Sequence, residues 1–362
     1  MSDALAKQAE ALRVRAMFEA AGARPVETDV LQPAETLLDL YGEDIRARAY
    51  VTSDALRGEQ MLRPDFTVPV VQMHMAHGAE PARYTYSGKV FRRQEDDASR
   101  ANEYLQVGYE VFDRTAPEEA DAEVFALIAS VLRGLPLRAA TGDIGILMAA
   151  VGGLETSARR KAALMRHVWR PRRFRALIER FSGAAEMPAS RRALLDAEDP
   201  FAGAGEMIGL RSRSEIAARI EALREDAALG PLAEGEVALM DAILDVQESL
   251  PNALERLRDI AVDMPAIEAA VERLARRTGA LAARGVDVTN LQFEASFGRA
   301  SMEYYDGFVF GFYSEARADL PPVATGGRYD ALTRVLGQGA EIPAVGGVVR
   351  PGLMLGLREG MS

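Results

Sequence analysis

The stretch from Tyr84 to Asp113, YTYSGKVFRRQEDDASRANEYLQVGYEVFD, constrains the fold most, because it reads as a strand, a polar loop and a returning strand. Tyr84, Tyr86 and the run Lys89-Val90-Phe91 are β-prone, whereas Gln94 to Asn102 is charged, small and poor in strand formers. In the return strand Leu105, Val107, Tyr109 and Val111 share one face, and Gln106, Gly108, Glu110 and Phe112 share the other. Gln106 and Glu110 thus flank a glycine on one side of a strand, an arrangement that leaves open space and suggests the floor of a small-ligand site. A solvent-facing strand side accounts equally for Gln and Glu on this segment alone. Arg92, at the end of the first strand, stands where anion-binding arginines are common.

The flanking sequence supplies walls for this hairpin. The chain opens with a helix in which Leu5, Ala9, Leu12 and Ala16 repeat at helical spacing, with Ser2 as N-cap and Gly22 as C-cap. Val26 to Gly42 reads as a short strand, Pro33 as a breaker, and an apolar helical turn through Leu37, Leu38 and Tyr41. Residues 50–62 read as a further strand and turn leading to Leu62-Arg63-Pro64-Asp65-Phe66-Thr67, where an acid and a hydroxyl at a strand-to-helix turn suit a helix N-cap. His74 and His77 follow at a spacing that suits a metal, but no further clustered ligand completes a set, so no metal is assigned. Ala116 to Arg133 is an acid-capped helix with Val124, Phe125, Ile128 and Leu132 on one face; a strand follows over 135–140, then a Gly142-Asp143-Ile144-Gly145 turn.

From about 151 to 285 strands almost vanish and Ala, Arg, Leu and Glu dominate, which predicts a helical insertion subdomain between core segments 1–150 and 286–362. Its basic run, Arg159, Arg160, Lys161, Arg166, His167, Arg170, Arg172, Arg173 and Arg175, reads as a solvated helical face or as a docking surface for an acidic partner. The aromatic-rich stretch 291–316 then reads as sheet core. The fold class is α+β, an antiparallel sheet flanked by helices. The absence of Cys excludes disulfides and thiolate chemistry and fits a reducing cytoplasm, where the protein is expected. No apolar run approaches membrane-spanning length, and a net charge of −11 argues against a nucleic-acid surface, making tRNA an unlikely partner.

A strand ending in Phe91-Arg92, a polar loop and a return strand of the form QxGxE over 106–110 together resemble motif 2 of class II aminoacyl-tRNA synthetases, in the histidyl-tRNA synthetase version. By that resemblance Gln106 and Glu110 contact the amino acid, and Arg92 holds a phosphate and the carboxylate. The segment 26–42 resembles motif 1, the homodimer element. Leu62 to Thr67 resembles the LRPEGT segment, which gives Asp65 and Thr67 the amino group of histidine. Glu303-Tyr304-Tyr305-Asp306-Gly307 resembles DYYxxTVF, which puts Tyr305 on the imidazole. Ala324 to Leu332 resembles AGGRYDGL, with Gly326 and Gly327 as pocket backbone and Tyr329 as a second pocket tyrosine, and 343–358 is similar to motif 3.

The departures are as informative. The motif 2 glutamate is Gln94, the catalytic arginine's position is Ala300, and the motif 3 arginine's is Leu353, while Arg299 and Arg350 sit out of register. The sequence ends at Ser362, where an anticodon-binding domain is expected to begin in the synthetase. An amino-acid pocket without its activation chemistry resembles the ATP phosphoribosyltransferase regulatory subunit family, relatives of histidyl-tRNA synthetase without catalytic residues of their own. The resemblance implies no cofactor, a short-form catalytic subunit as partner, self-association as a homodimer, and histidine as effector of the first step of histidine biosynthesis. A free-standing histidine sensor or scaffold, and a truncated synthetase-like enzyme, remain as alternatives.

Overall fold

The computed structural model describes residues 3–41, 48–94, 100–206, 208–299 and 304–360. The strands are β1 (Arg24–Pro25), β2 (Leu31–Pro33), β3 (Val51–Asp54), β4 (Gly58–Leu62), β5 (Ala82–Phe91), β6 (Glu103–Phe112), β7 (Leu137–Asp143), β8 (Gln247–Ser249), β9 (Gln292–Glu294), β10 (Phe308–Ser314), β11 (Ala324–Arg328) and β12 (Ala344–Val349). Nine of them make one sheet in the order β1-β5-β6-β12-β11-β10-β7-β9-β8, and β2-β4-β3 make a small second one. The large sheet is mixed rather than antiparallel throughout, since β1 pairs with β5, and β7 with β9, in parallel.

The hairpin that anchors the sequence is β5–β6, and its register runs from Ala82 opposite Phe112 to Phe91 opposite Glu103. Both faces of β6 are buried: Val107, Tyr109 and Val111 meet the first helix and the helix Pro117–Val131, while Gln106 and Glu110 face the opposite layer. Gly22, just past the helix Asp3–Ala20, has φ +94°, the left-handed geometry expected of a C-cap glycine. The buried face of that helix is Glu10, Ala11, Val14 and Phe18, so the Leu5–Ala16 repeat lies on the exposed side. Phe18 decides the matter, because its ring packs 5.3 Å from that of Tyr109 in the sheet. Ser2 and Gly42 lie outside the described residues.

The region 151–285 is mainly helical, but it is not strand-free. β8 lies within it and pairs with β9 at the edge of the large sheet. The helix Glu268–Ala283 packs on the helix Pro117–Val131, joined through buried Arg277, whose Nε and Nη1 each donate at 2.8 Å, to Asp121 and Asp143. Asp121 also accepts from Arg328 of β11, so two helices and two strands meet at one buried ion network. Three members of the basic run pair with acids of the same region: Arg160, buried, with Asp226 at 2.7 Å, and the exposed Arg159 with Glu225 at 3.2 Å and Arg175 with Asp241 at 3.3 Å. His74 is a core residue, stacked 4.0 Å from Phe112 and hydrogen-bonded to Tyr84, while His77 is exposed.

Candidate ligand-binding site

Glu110 stands at the centre. It is 1% exposed in mid-strand β6, and its carboxylate accepts from Thr67 Oγ1 (3.0 Å) and Tyr86 OH (2.8 Å) on Oε1, and from Tyr329 OH (2.5 Å) on Oε2. Burial pushes its pKa up to about 7, against the three hydroxyl donors that favour the charged form. Thr67 opens the helix Thr67–His77 without capping it, because its hydroxyl is directed to Glu110 instead. The N-cap alternative for the Asp65-Phe66-Thr67 turn therefore fails for Thr67.

Asp65, Thr67, Arg92, Gln106, Glu110, Tyr305 and Tyr329 line one small cavity of about 30 Å³, together with Tyr304, Thr325, Gly346, Gly347, Val348 and Arg350. That volume suits about one water molecule. Gln106 Oε1 is buried without a hydrogen-bond partner. Arg92 is fixed at the rim by its Nε bond to the Pro64 carbonyl (2.7 Å). Beyond it opens a larger cleft of about 810 Å³ lined by Lys7, Arg92, Arg93, Arg100, Arg317 and Arg350, with Glu103, Asp319 and Leu353 among its other walls.

Gly326 and Gly327 do not line the cavity. A Cβ at Gly326 would meet Phe310 at 2.3 Å, and one at Gly327 would meet the Tyr305 ring at 2.8 Å, so these glycines admit aromatic rings rather than a ligand. The backbone at the cavity belongs to Gly346 and Gly347 of β12; a Cβ on Gly346 would fall 1.4 Å from Glu110 Oε2. Nor is the space at Gly108 open. Tyr86 sits opposite it in the β5–β6 register, and its ring lies 2.0 Å from where a Gly108 Cβ would be. Phe66 leaves the cavity altogether, stacking on Tyr86 at 4.4 Å beneath the Arg63 guanidinium.

Sequence reasoning missed Tyr86 and Arg350. The signal for Tyr86 was a tyrosine paired across a hairpin with a glycine. Arg350, at the end of β12, packs 5.4 Å from the Tyr104 ring centre and faces both cavity and cleft; burial pulls its pKa down. Arg299 does not line the cavity: its Nε donates to the Val168 carbonyl (2.7 Å) and its guanidinium lies over Phe174. It sits in a turn rather than a strand, and Ala300 and Glu303 lie outside the described residues.

Asp306 fixes the two pocket tyrosines relative to each other. Its carboxylate accepts from the Asp330 (3.0 Å) and Ala331 (2.6 Å) amides, at the start of the helix that follows Tyr329. Burial, reinforced by Asp330, raises its pKa to about 7. Among the described residues no group of His, Cys, Asp and Glu suits a metal, and no helix is long and apolar enough to cross a membrane.

The family described as Histidyl-tRNA synthetase matches residues 2–351. An ATP phosphoribosyltransferase regulatory subunit of Mesorhizobium japonicum is 31% identical over 372 residues, covering 93% of this chain and 94% of that protein. The Brucella canis protein of the same name is 31% identical over 367 residues, covering 93% of each. Among solved structures, an ATP phosphoribosyltransferase regulatory subunit/histidyl-tRNA synthetase from Bacillus halodurans superposes with a TM-score of 0.69 at 20% identity, over 97% of this chain and 79% of that one. A histidine–tRNA ligase subunit from Alicyclobacillus acidocaldarius gives 0.62 at 24% identity, over 99% and 94%. By sequence and by fold, the chain belongs to the ATP phosphoribosyltransferase regulatory subunit family, on a histidyl-tRNA synthetase-like fold.

Proposed function

We propose that this chain is the non-catalytic regulatory subunit of an ATP phosphoribosyltransferase, a glycosyltransferase complex. It works with a short-form catalytic subunit in the first step of histidine biosynthesis and makes that step responsive to histidine. One observation carries the reading: the seven side chains that match an amino-acid pocket converge on a single cavity, while Gln94 and Leu353 occupy positions where activation chemistry needs a carboxylate and an arginine. Losing one preorganised donor typically costs about 100- to 1000-fold in rate, so the chain is not expected to aminoacylate tRNA.

Histidine binding assigns its carboxylate to Arg92, its ammonium to Asp65 and Thr67, and its imidazole to the side of Tyr305 and Tyr329, with Gln106 and Glu110 as floor. The chain pairs with itself through 26–42. The decisive experiment measures phosphoribosyl-ATP formation by the short-form catalytic subunit with and without this chain, each with and without histidine. Stimulation that histidine reverses supports the proposal. A rate that ignores the chain, with failure of the two proteins to co-purify, refutes it and leaves a free-standing sensor; pyrophosphate exchange with ATP and histidine would instead mark a synthetase-like enzyme.

A further inference from the structure

The cavity is too small for an amino acid as it stands, so a wall must yield to admit one. Gln106 and Glu110 stand on β6, Thr325 on β11, and Gly346, Gly347 and Val348 on β12, all held by ladder hydrogen bonds to neighbouring strands. Tyr304 and Tyr305 belong to no helix or strand, and neither do Asp65, Arg92, Tyr329 and Arg350; of these walls it is the Tyr305 backbone that is bonded to the helical region. The segment of the two tyrosines is tied down at three points. The Asp306 amide donates to the Arg328 carbonyl (3.0 Å), the Gly307 carbonyl accepts from the Ile144 amide (2.9 Å), and the Tyr305 carbonyl accepts from Trp169 Nε1 (2.9 Å). Trp169 lies in the helical insertion, between the helices Ala158–Arg166 and Pro171–Phe181. Its neighbour Val168, fully buried, takes the Arg299 Nε bond, so the insertion holds the turn before the tyrosines as well as Tyr305 itself.

We infer that Trp169 is a positioning residue of the ligand cavity, and that histidine entering the cavity displaces the Tyr305 backbone and with it the helical insertion. The inference rests on the cavity taking histidine, as proposed above. Its physical content is simple: the ring of Tyr305 is a cavity wall and its carbonyl is bonded to the indole, so a shift of the Tyr305 backbone that makes room for the ligand is passed on to Trp169. The insertion therefore responds to occupancy of the cavity.

The test uses the full-length protein and L-histidine. Trp169 is the single tryptophan of the chain, so the emission reports the surroundings of this one side chain. Calorimetry should show histidine binding, and the emission spectrum should shift with the same midpoint. Trp169→Phe keeps an aromatic ring but loses the donor, so Tyr305 yields without drawing the insertion with it, and histidine is expected to bind about 5-fold more tightly, the worth of one ordinary hydrogen bond. Binding without any emission change, and with W169F affinity equal to wild type, overturns the inference and leaves the cavity reading intact. A W169F protein of lowered melting temperature but unaltered affinity also overturns it, since that is a structural role only. Absence of histidine binding by calorimetry and by equilibrium dialysis sinks the cavity reading and this inference together. If W169F does not fold, the wild-type emission titration decides alone.

Discussion

Replacing Glu110 by Gln tests the energetics of the site without any ligand. In the folded protein the carboxyl has its pKa raised from 4.5 to about 7, chiefly by burial. The folded state therefore holds a proton that the unfolded chain releases. Stability from this group is fully present below pH 4.5 and is lost as pH rises through about 7. The whole difference is about 3 kcal/mol, of which about 2.5 kcal/mol falls between pH 5 and pH 8. The introduced glutamine would keep an oxygen for Thr67 and Tyr86, while its amide nitrogen would donate to the Tyr329 hydroxyl, which turns to accept. The variant has no charge to bury, so its profile lacks this step. Asp306 titrates in the same window with the same sign, but it is common to both proteins and cancels in the difference. Urea unfolding free energies at fixed protein concentration should show E110Q gaining about 2.5 kcal/mol on wild type between pH 5 and pH 8. Parallel profiles for the two proteins across that range would falsify a desolvated carboxyl at this position.

Tyr329→Phe removes the donor on Glu110 Oε2, which should cost about 1.5–3 kcal/mol at pH 8 and less at pH 5, because the charged acceptor loses more than the neutral one; the same urea series reads it. Gly346→Ala drives a methyl into Glu110 and should lower stability by about 3 kcal/mol, the upper end for overpacking, in thermal or chemical unfolding. Arg277→Met leaves Asp143 without its guanidinium partner and Asp121 with only Arg328, and is expected to destabilise by about 3–5 kcal/mol at pH 7. A loss below about 1 kcal/mol there would show that the network relaxes around the gap.

The hairpin was legible because its signals are local: alternation in β6, the polar loop, and the Phe91-Arg92 strand end all sit within one short window. Gln106, Glu110 and Arg92 were legible within the hairpin, whereas Asp65, Thr67, Tyr305 and Tyr329 were assigned to the pocket only through resemblance, since Thr67 lies 43 residues and Tyr329 lies 219 residues from the Glu110 they bond. Tyr86 escaped because its place depends on cross-strand register, which puts it over Gly108. β8 escaped because three residues carry no periodicity. In the basic run, the acids that pair with Arg159, Arg160 and Arg175 lie 66 residues downstream on other helices, a spacing that carries no local signal. Gly326 and Gly327 were assigned to a ligand because glycine announces a close approach without saying by what; here the approaching groups are Phe310 and Tyr305.

The cleft beside the cavity shows that positive charge as such has not been lost. Arg92, Arg93, Arg100, Arg317, Arg350 and Lys7 line it, against Glu103 and Asp319. Activation chemistry asks for something narrower, donors aimed at the atoms where charge develops and held there before the reaction begins. Arg350 precedes the helix Pro351–Glu359, whereas Leu353 lies on it, about 4.5 Å further along the axis. A guanidinium at the strand end, packed on Tyr104 and desolvated, occupies the mouth of the cavity rather than the helix position opposite a polyphosphate. Binding an amino acid needs only that the floor of Glu110, Gln106, Thr67 and Asp65 survive, and those residues are also fixed by the core around them. On the proposed function, the pocket persists because it is bonded into the fold, whereas amino-acid activation would depend on single side chains that the fold does not need.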